Sequence, residues 1–201
     1  MMRAQLVLKR FFDILICSFV LVLGLPLFGL IALLVKLSSP GPVFFVQERV
    51  GLGGRTFRMI KFRTMKEAST TEPVTVWTEA EEARITKIGR FLRDYALDEL
   101  PEIINVLKGD MSIVGPRPPL PAQVQNFTER QLRMFRMRPG MLSLAFINGR
   151  RSIPMEQRIE YHIWYVENWS LWLDILIFWR GLLVLLTKQG ASEMIRPSEG
   201  N

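Results

Sequence analysis

The sequence predicts an α+β protein, mainly helical. An N-terminal re-entrant membrane helix, a small β-hairpin and interfacial amphipathic helices are expected to surround a compact catalytic core. Three observations carry this prediction. Residues Ile14 to Val35 contain no charged side chain, yet Pro26 stands in the middle of the run. Two β-rich stretches, Val43–Val46 and Phe57–Phe62, flank the cluster Gly51-Leu52-Gly53-Gly54. The last third is helical in pattern and rich in tryptophan. The expected organisation is a membrane helix over 1–38, a catalytic domain with its interfacial helices over 39–188, and a polar tail over 189–201.

Composition bounds the function. A chain of 201 residues is long enough for one domain with a real core. It is 49% hydrophobic, with mean hydropathy +0.18, a net charge of +7 and a pI near 10.0. The positive balance implies an acidic partner: nucleic acid, anionic lipid or a phosphorylated substrate. The single cysteine, Cys17, excludes a disulfide framework and a cysteine-based zinc site. The single histidine, His162, argues against a histidine-rich metal centre.

The first element has the length of a membrane span. A secretory signal would have a shorter apolar core and a small-residue cleavage site. Pro26, followed by Gly29, predicts a kink. The halves Ile14–Leu23 and Leu27–Val35 each rise about 15 Å, roughly half of a hydrocarbon core. Arg3, Lys9 and Arg10 precede the run, and Lys36 and Arg49 follow it. Positive charge at both ends favours both ends on the cytoplasmic side, hence a re-entrant rather than a spanning helix. Asp13 is expected to be neutralised by Arg10, one turn back.

Ser38-Ser39-Pro40-Gly41-Pro42 ends this helix, and the two β-rich stretches then form a hairpin at the membrane surface. The glycine cluster lacks a following Lys-Ser/Thr and opens no helix, so it is a turn rather than a phosphate loop. Lys61 and Arg63 occupy alternate positions and so share one side of a strand, either as a solvated face or as an anion-binding pair. Glu67 to Glu82 reads as a surface loop or lid. Ile85 to Tyr95 is a short basic helix with Lys87, Arg90 and Arg93 at successive i+3 spacing.

Leu97-Asp98-Glu99-Leu100-Pro101 opens the central helix. Leu100, Ile103, Ile104 and Leu107 would form its buried face. Pro101 is tolerated only in a first turn, which puts Asp98 near the N-cap. Free N–H groups and the helix dipole there would keep a carboxylate ionised and attract a phosphate. Taken alone, these two residues are more simply a plain cap and a favourable first-turn charge. Behind them, Pro116 and Pro118 stiffen the backbone around Arg117, and a fixed guanidinium suits a bidentate phosphate contact.

Arg130, Arg133, Arg136 and Arg138 are interleaved with apolar residues, either as a solvated helix or as one lying on anionic headgroups. Leu142–Ile147 reads as a short strand. Met155–Glu167 and Leu171–Leu186 read as helices, the second either lying in or against the interface with Trp172 and Trp179 or forming a second membrane span. The tail from Gln189 is expected to fray. Carboxylates beside cations at a membrane surface suit a charged phosphate compound. A carboxylate there can bind Mg²⁺ or attack phosphorus itself.

Several segments together resemble a known family. These are Lys9-Arg10-Phe11-Phe12-Asp13, Lys61-Phe62-Arg63-Thr64-Met65, Leu97-Asp98-Glu99-Leu100-Pro101, Asn105 through Ser112, Gly115-Pro116-Arg117-Pro118, Arg138-Pro139-Gly140 and Asn148-Gly149-Arg150. In this order they resemble the bacterial sugar transferases, the small monotopic phosphoglycosyl transferases. The resemblance implies transfer of a sugar-1-phosphate from a UDP-sugar to polyprenyl (undecaprenyl) phosphate, with release of UMP and a need for Mg²⁺. It implies that Asp98 is the nucleophile and that Glu99 is its partner, with both at the metal. Gly115 to Pro118, and so Pro116, Arg117 and Pro118, would lie at the nucleotide and phosphate site. Lys61, Arg63, Arg93 and Arg138 are further candidate phosphate ligands. The family's helix is re-entrant, broken at a Ser-Pro, with catalysis on the cytoplasmic face of the bacterial inner membrane. Anionic lipids are expected partners, and the sequence leaves a homodimer open; nucleic acid is not expected, since no nucleic-acid motif accompanies the charge.

The chain departs from the family at Leu25-Pro26, which lacks the serine, at Met141 to Phe146, and at His162, where an acidic residue is expected. Neither an extra N-terminal membrane bundle nor a fused second enzyme is expected. A non-enzymatic membrane scaffold of a glycan-assembly complex is the alternative, and the intact Asp98-Glu99 pair counts against it.

Overall fold

The computed structural model describes residues 2–66, 79–149 and 153–187. Helix α1 (Met2–Ser38) is continuous over 37 residues with Pro26 inside it, a length of about 55 Å at the usual helical rise. Among the described residues it is the one helix long and apolar enough to cross a membrane. Strands β1 (Phe44–Val50) and β2 (Thr56–Phe62) form the expected hairpin, antiparallel with Phe44 opposite Phe62 and Val50 opposite Thr56. The turn between them is a short 3₁₀ segment in which Gly53 takes φ +65°. Helices α2 (Glu79–Ala83) and α3 (Lys87–Asp94) follow, α3 capped by Thr86, whose side chain accepts from the Gly89 amide.

A 3₁₀ turn over Leu97–Glu99 leads into α4 (Glu102–Lys108). Asp98 is therefore not the N-cap of that helix; Pro101 holds the position and makes no side-chain cap. The buried face of α4 also differs from the expectation. Glu102, Ile103, Asn105 and Val106 point inward, while Leu100, Ile104 and Leu107 are only partly buried. Two of the four are polar: Glu102 faces Lys61 at ion-pair distance, and Asn105 docks α4 through hydrogen bonds. Asn105 accepts from the Ile60 amide at 3.0 Å and donates to the Arg58 carbonyl at 2.7 Å, which locks α4 to β2.

Strand β3 (Ser112–Val114), helices α5 (Pro121–Val124) and α6 (Glu129–Leu132), and a 3₁₀ turn over Arg133–Arg136 precede β4 (Gly140–Leu142). β3 and β4 pair in parallel, Ser112 with Gly140 and Val114 with Leu142. The pairing is tight. A Cβ on Gly140 would lie 2.0 Å from the Gly115 nitrogen, so no side chain fits there. Leu142–Ile147 does not continue as a strand. The Ser143 hydroxyl accepts from the Phe146 amide and turns the chain into α7 (Leu144–Ile147). Helices α8 (Met155–Glu167) and α9 (Leu171–Thr187) complete the fold.

α1 is part of the core rather than an appendage. Its Cys17 is buried with Met59, Ile103, Val106 and Met111. Its Ile31 and Val35 are buried with Phe62 and Leu92. Polar contacts fix the N-terminal end. Lys9 Nζ lies 2.7 Å from Asp174 of α9 and 2.8 Å from the Val114 carbonyl. Arg10 donates to the Val106 and Leu107 carbonyls at the end of α4. Asp13 is thus not held by Arg10; it accepts from the Ser112 hydroxyl at 2.8 Å and the Ile113 amide at 3.1 Å. The opposite side of α1 leaves Phe11, Phe19, Leu23, Leu30 and Leu37 exposed. On α9, Leu173 and Ile177 are buried while Trp172, Ile175, Trp179 and Leu183 are exposed. The basic segment around α6 is tied inward by Arg130–Glu160 (2.6 Å) and Arg133–Glu167 (2.9 Å). Most of the expected lid, Arg150-Arg151 and the polar tail lie outside the described residues.

Candidate active site

The turn between α3 and α4 presents the Asp-Glu pair. Ala96 enters it at φ +53°, the one non-glycine residue in the left-handed region among the described residues. A cavity of about 160 Å³ opens beside it. Arg93, Ala96, Asp98, Glu99 and Arg117 line it from one set of elements; Ser143, Ala145, Phe146, Arg158 and His162 line it from α7, its cap and α8.

Glu99 is the most tightly held of these groups. Arg117 grips its carboxylate with both guanidinium nitrogens, and Lys61 donates to it at 2.7 Å. Burial alone would raise the Glu99 carboxyl, but Arg117 and Lys61 overcome this and hold it well below the usual range. In return Glu99 pushes the Arg117 guanidinium above its ordinary value, so Arg117 is permanently cationic. Lys61 also lies 3.2 Å from Glu102, an ion-pair distance, although that oxygen has no hydrogen-bond partner. Glu102 is 1% exposed. Burial and then the charge of Glu99 push its carboxyl up to about 7.

Asp98 behaves differently. Burial first, and then Glu99, raise its carboxyl, opposed by Lys61, Arg93 and Arg117. No helix N-terminus holds it, so its anionic form depends on these three cations. A carboxylate that is desolvated and unclamped is a better nucleophile than one fixed by hydrogen bonds.

The structure thus gathers Asp98, Glu99, Arg93 and Arg117 around one cavity, with Lys61 directly behind. It places the other predicted residues elsewhere. Arg63 is buried and donates to the Val35 and Ser39 carbonyls, closing the C-terminal end of α1. Arg138 is exposed and donates to the Gly109 carbonyl at 2.9 Å. Pro116 and Pro118 are buried on the far side of Arg117, their carbonyls accepting from Gly140 N and from Arg49. They orient the arginine rather than face the cavity. Sequence reasoning passed over Arg158, Ser143 and Glu102. Arg158 and His162 sit at i, i+4 on α8, a spacing that puts both on one face and could have flagged them.

The model for the bacterial sugar transferase family matches residues 4–188. The chain belongs to this family. Among similar members, the uncharacterised sugar transferase EpsL of Bacillus subtilis is 39% identical over 188 residues, covering 94% of this chain and 92% of that protein. The UDP-glucose:undecaprenyl-phosphate glucose-1-phosphate transferase of Escherichia coli is 44% identical over 178 residues, 85% of this chain and 38% of that protein. Its namesake in Caulobacter vibrioides is 40% identical over 191 residues, 91% of this chain and 71% of that protein. The chain therefore spans nearly all of one bacterial sugar transferase but well under half of another. The family match includes α1, the hairpin and every segment that lines the cavity.

Proposed function

We propose that this bacterial sugar transferase moves a sugar-1-phosphate from a UDP-sugar to undecaprenyl phosphate, as the first membrane step of a surface-glycan or glycoconjugate assembly. The observation that carries the proposal is Asp98 on the wall of a cavity beside Arg93 and Arg117. Such a wall suits a substrate with a diphosphate, and transferases of this type are named among the relatives. α1 lies at the cytoplasmic face of the inner membrane with both ends on that side, a reading supported by the contacts of Lys9 and Val35 with the same body.

The Asp98 carboxylate attacks the phosphorus that bears the sugar. The bond from that phosphorus to the oxygen of UMP breaks, and UMP leaves with the electron pair. An acyl phosphate then links Asp98 to the sugar phosphate. A phosphate oxygen of undecaprenyl phosphate attacks the same phosphorus and expels the Asp98 carboxylate. Neither step needs a proton, because both leaving groups are stable anions. Arg93 and Arg117 stabilise the charge that builds on phosphorus. Glu99 fixes Arg117, and Lys61 fixes Glu99.

Mg²⁺ would fit this site as an ion shared with the diphosphate of a bound substrate. Among the described residues no cluster of three or more acidic, histidine or cysteine ligands exists to hold a resident metal. Magnesium commonly takes only one or two carboxylates and completes its shell with phosphate oxygens and water. Asp98 and Glu99 are the carboxylates that would hold it, and it would neutralise the diphosphate.

The test is mass spectrometry of the purified chain mixed with a UDP-sugar and Mg²⁺. The wild type should gain the mass of one sugar phosphate. Asp98→Asn should gain nothing and lose turnover by on the order of a thousandfold or more. Normal UMP release by the variant refutes the mechanism.

A further inference from the structure

His162 has no part in the steps above, yet it is placed as a ligand-binding group. It is 5% exposed and lines the cavity from α8, one turn after Arg158. Its Nδ1 is buried without a hydrogen-bond partner. A buried polar atom left unpaired costs on the order of 1–3 kcal/mol, so such atoms mark places where something else binds. Burial first, and then Arg117 and Arg158, push the imidazole down to about 3. The ring is therefore uncharged at neutral pH.

Charge decides which part of a UDP-sugar it suits. A phosphate offers only acceptors and is served better by the arginines. A neutral imidazole carries one N–H and one lone pair, and a hydroxyl likewise donates and accepts. The neighbouring wall has the same character: Ala145, the Phe146 ring and the Ser143 hydroxyl, which accepts from Phe146 N and keeps its own proton to donate. The sugar is bonded to the phosphorus that Asp98 attacks, so it must occupy this cavity.

We propose that His162 hydrogen-bonds a hydroxyl of the UDP-linked sugar and sets which sugar the enzyme accepts; this rests on reading the cavity as the UDP-sugar site. The experiment measures UMP release from UDP-glucose, UDP-galactose and UDP-N-acetylgalactosamine by the full chain in detergent with undecaprenyl phosphate. It compares wild type, His162→Leu and His162→Gln, and measures inhibition by UMP, which has no sugar. His162→Leu should lower kcat/KM about tenfold for the preferred sugar and far less for the others, so their ratio narrows. His162→Gln should recover part of the preference, and UMP should inhibit all three proteins equally. An unchanged ratio between sugars, or UMP inhibition weakened in parallel with activity, overturns the proposal. A wild type that releases UMP from no UDP-sugar overturns the transferase reading itself, an outcome visible before any variant is made.

Discussion

Replacing Asp174 by leucine strips a buried ammonium of its counter-charge. The carboxylate takes three donors: Lys9 Nζ at 2.7 Å, Tyr165 Oη at 2.6 Å and Trp169 Nε1 at 3.0 Å. Both Lys9 and Asp174 are 8% exposed. After the change Lys9 keeps only the Val114 carbonyl, Tyr165 keeps a 3.3 Å contact to the same carbonyl, and the indole N–H loses its acceptor. Breaking a buried pair from one side costs about 3–5 kcal/mol. For a chain of this size that lowers the melting temperature by roughly 10 °C. Lys9→Met should cost less, about 1–3 kcal/mol, because Asp174 keeps two neutral donors. The double variant Lys9→Met/Asp174→Leu should recover to within about 2 kcal/mol of wild type, since a well-packed apolar pair can replace a buried ion pair. The assay is thermal unfolding in detergent micelles followed by tryptophan fluorescence. If the two single losses simply add in the double variant, Lys9 and Asp174 do not act as a pair and the account of how α1 docks on α9 fails.

Three further predictions use the same assay. Asn105→Ala should cost about 2–4 kcal/mol, because it orphans the Ile60 amide and the Arg58 carbonyl, and Asn105→Asp should recover little, since an ionised carboxylate cannot donate to Arg58; a loss under 1 kcal/mol would refute the lock between α4 and β2. Gly140→Ala should abolish stable folding, its Cβ meeting Gly115 backbone at 2.0 Å, whereas Gly29→Ala, with nothing within 4 Å, should stabilise α1 by up to about 1 kcal/mol; equal effects would refute the close approach of β3 and β4. His162 has a folded-state value of about 3 against 6.5 unfolded, so its contribution is complete above pH 6.5 and is lost as pH falls towards 3. Its part of the slope approaches about 1.4 kcal/mol per pH unit, and His162→Gln should lack it; identical acid sensitivity in both proteins would refute the buried, uncharged ring.

Elements with a strong local period were legible in the sequence: the hairpin with its glycine turn, α3, and α8 with the expected bounds. Leu142–Ile147 has the composition of a strand but folds as a turn of helix after Leu142. The outcome turns on one hydroxyl, since Ser143 bonds the Phe146 amide and closes a helical turn instead. Asp98, Glu99 and Arg117 were found as a motif, but their electrostatics were not. The expected helix dipole is absent at Asp98, and three cations set its charge instead. Arg63 and Arg138 show the limit for arginine. In sequence, a guanidinium that holds carbonyls looks the same as one that holds phosphate. Arg158 shares a helix face with His162, but only the fold brings that face to the cavity that Asp98 lines.

The anchoring of α1 has a consequence for how the protein meets bilayers of different thickness. A helix that spans a membrane responds to thickness by tilting, and carries whatever is attached to it through the same angle. Lys9, Asp13, Cys17, Ile31 and Val35 hold α1 to one body from end to end. In the membrane arrangement proposed above the helix cannot tilt alone, so the height of Asp98 above the acyl chains would follow from the fold and not from the lipid.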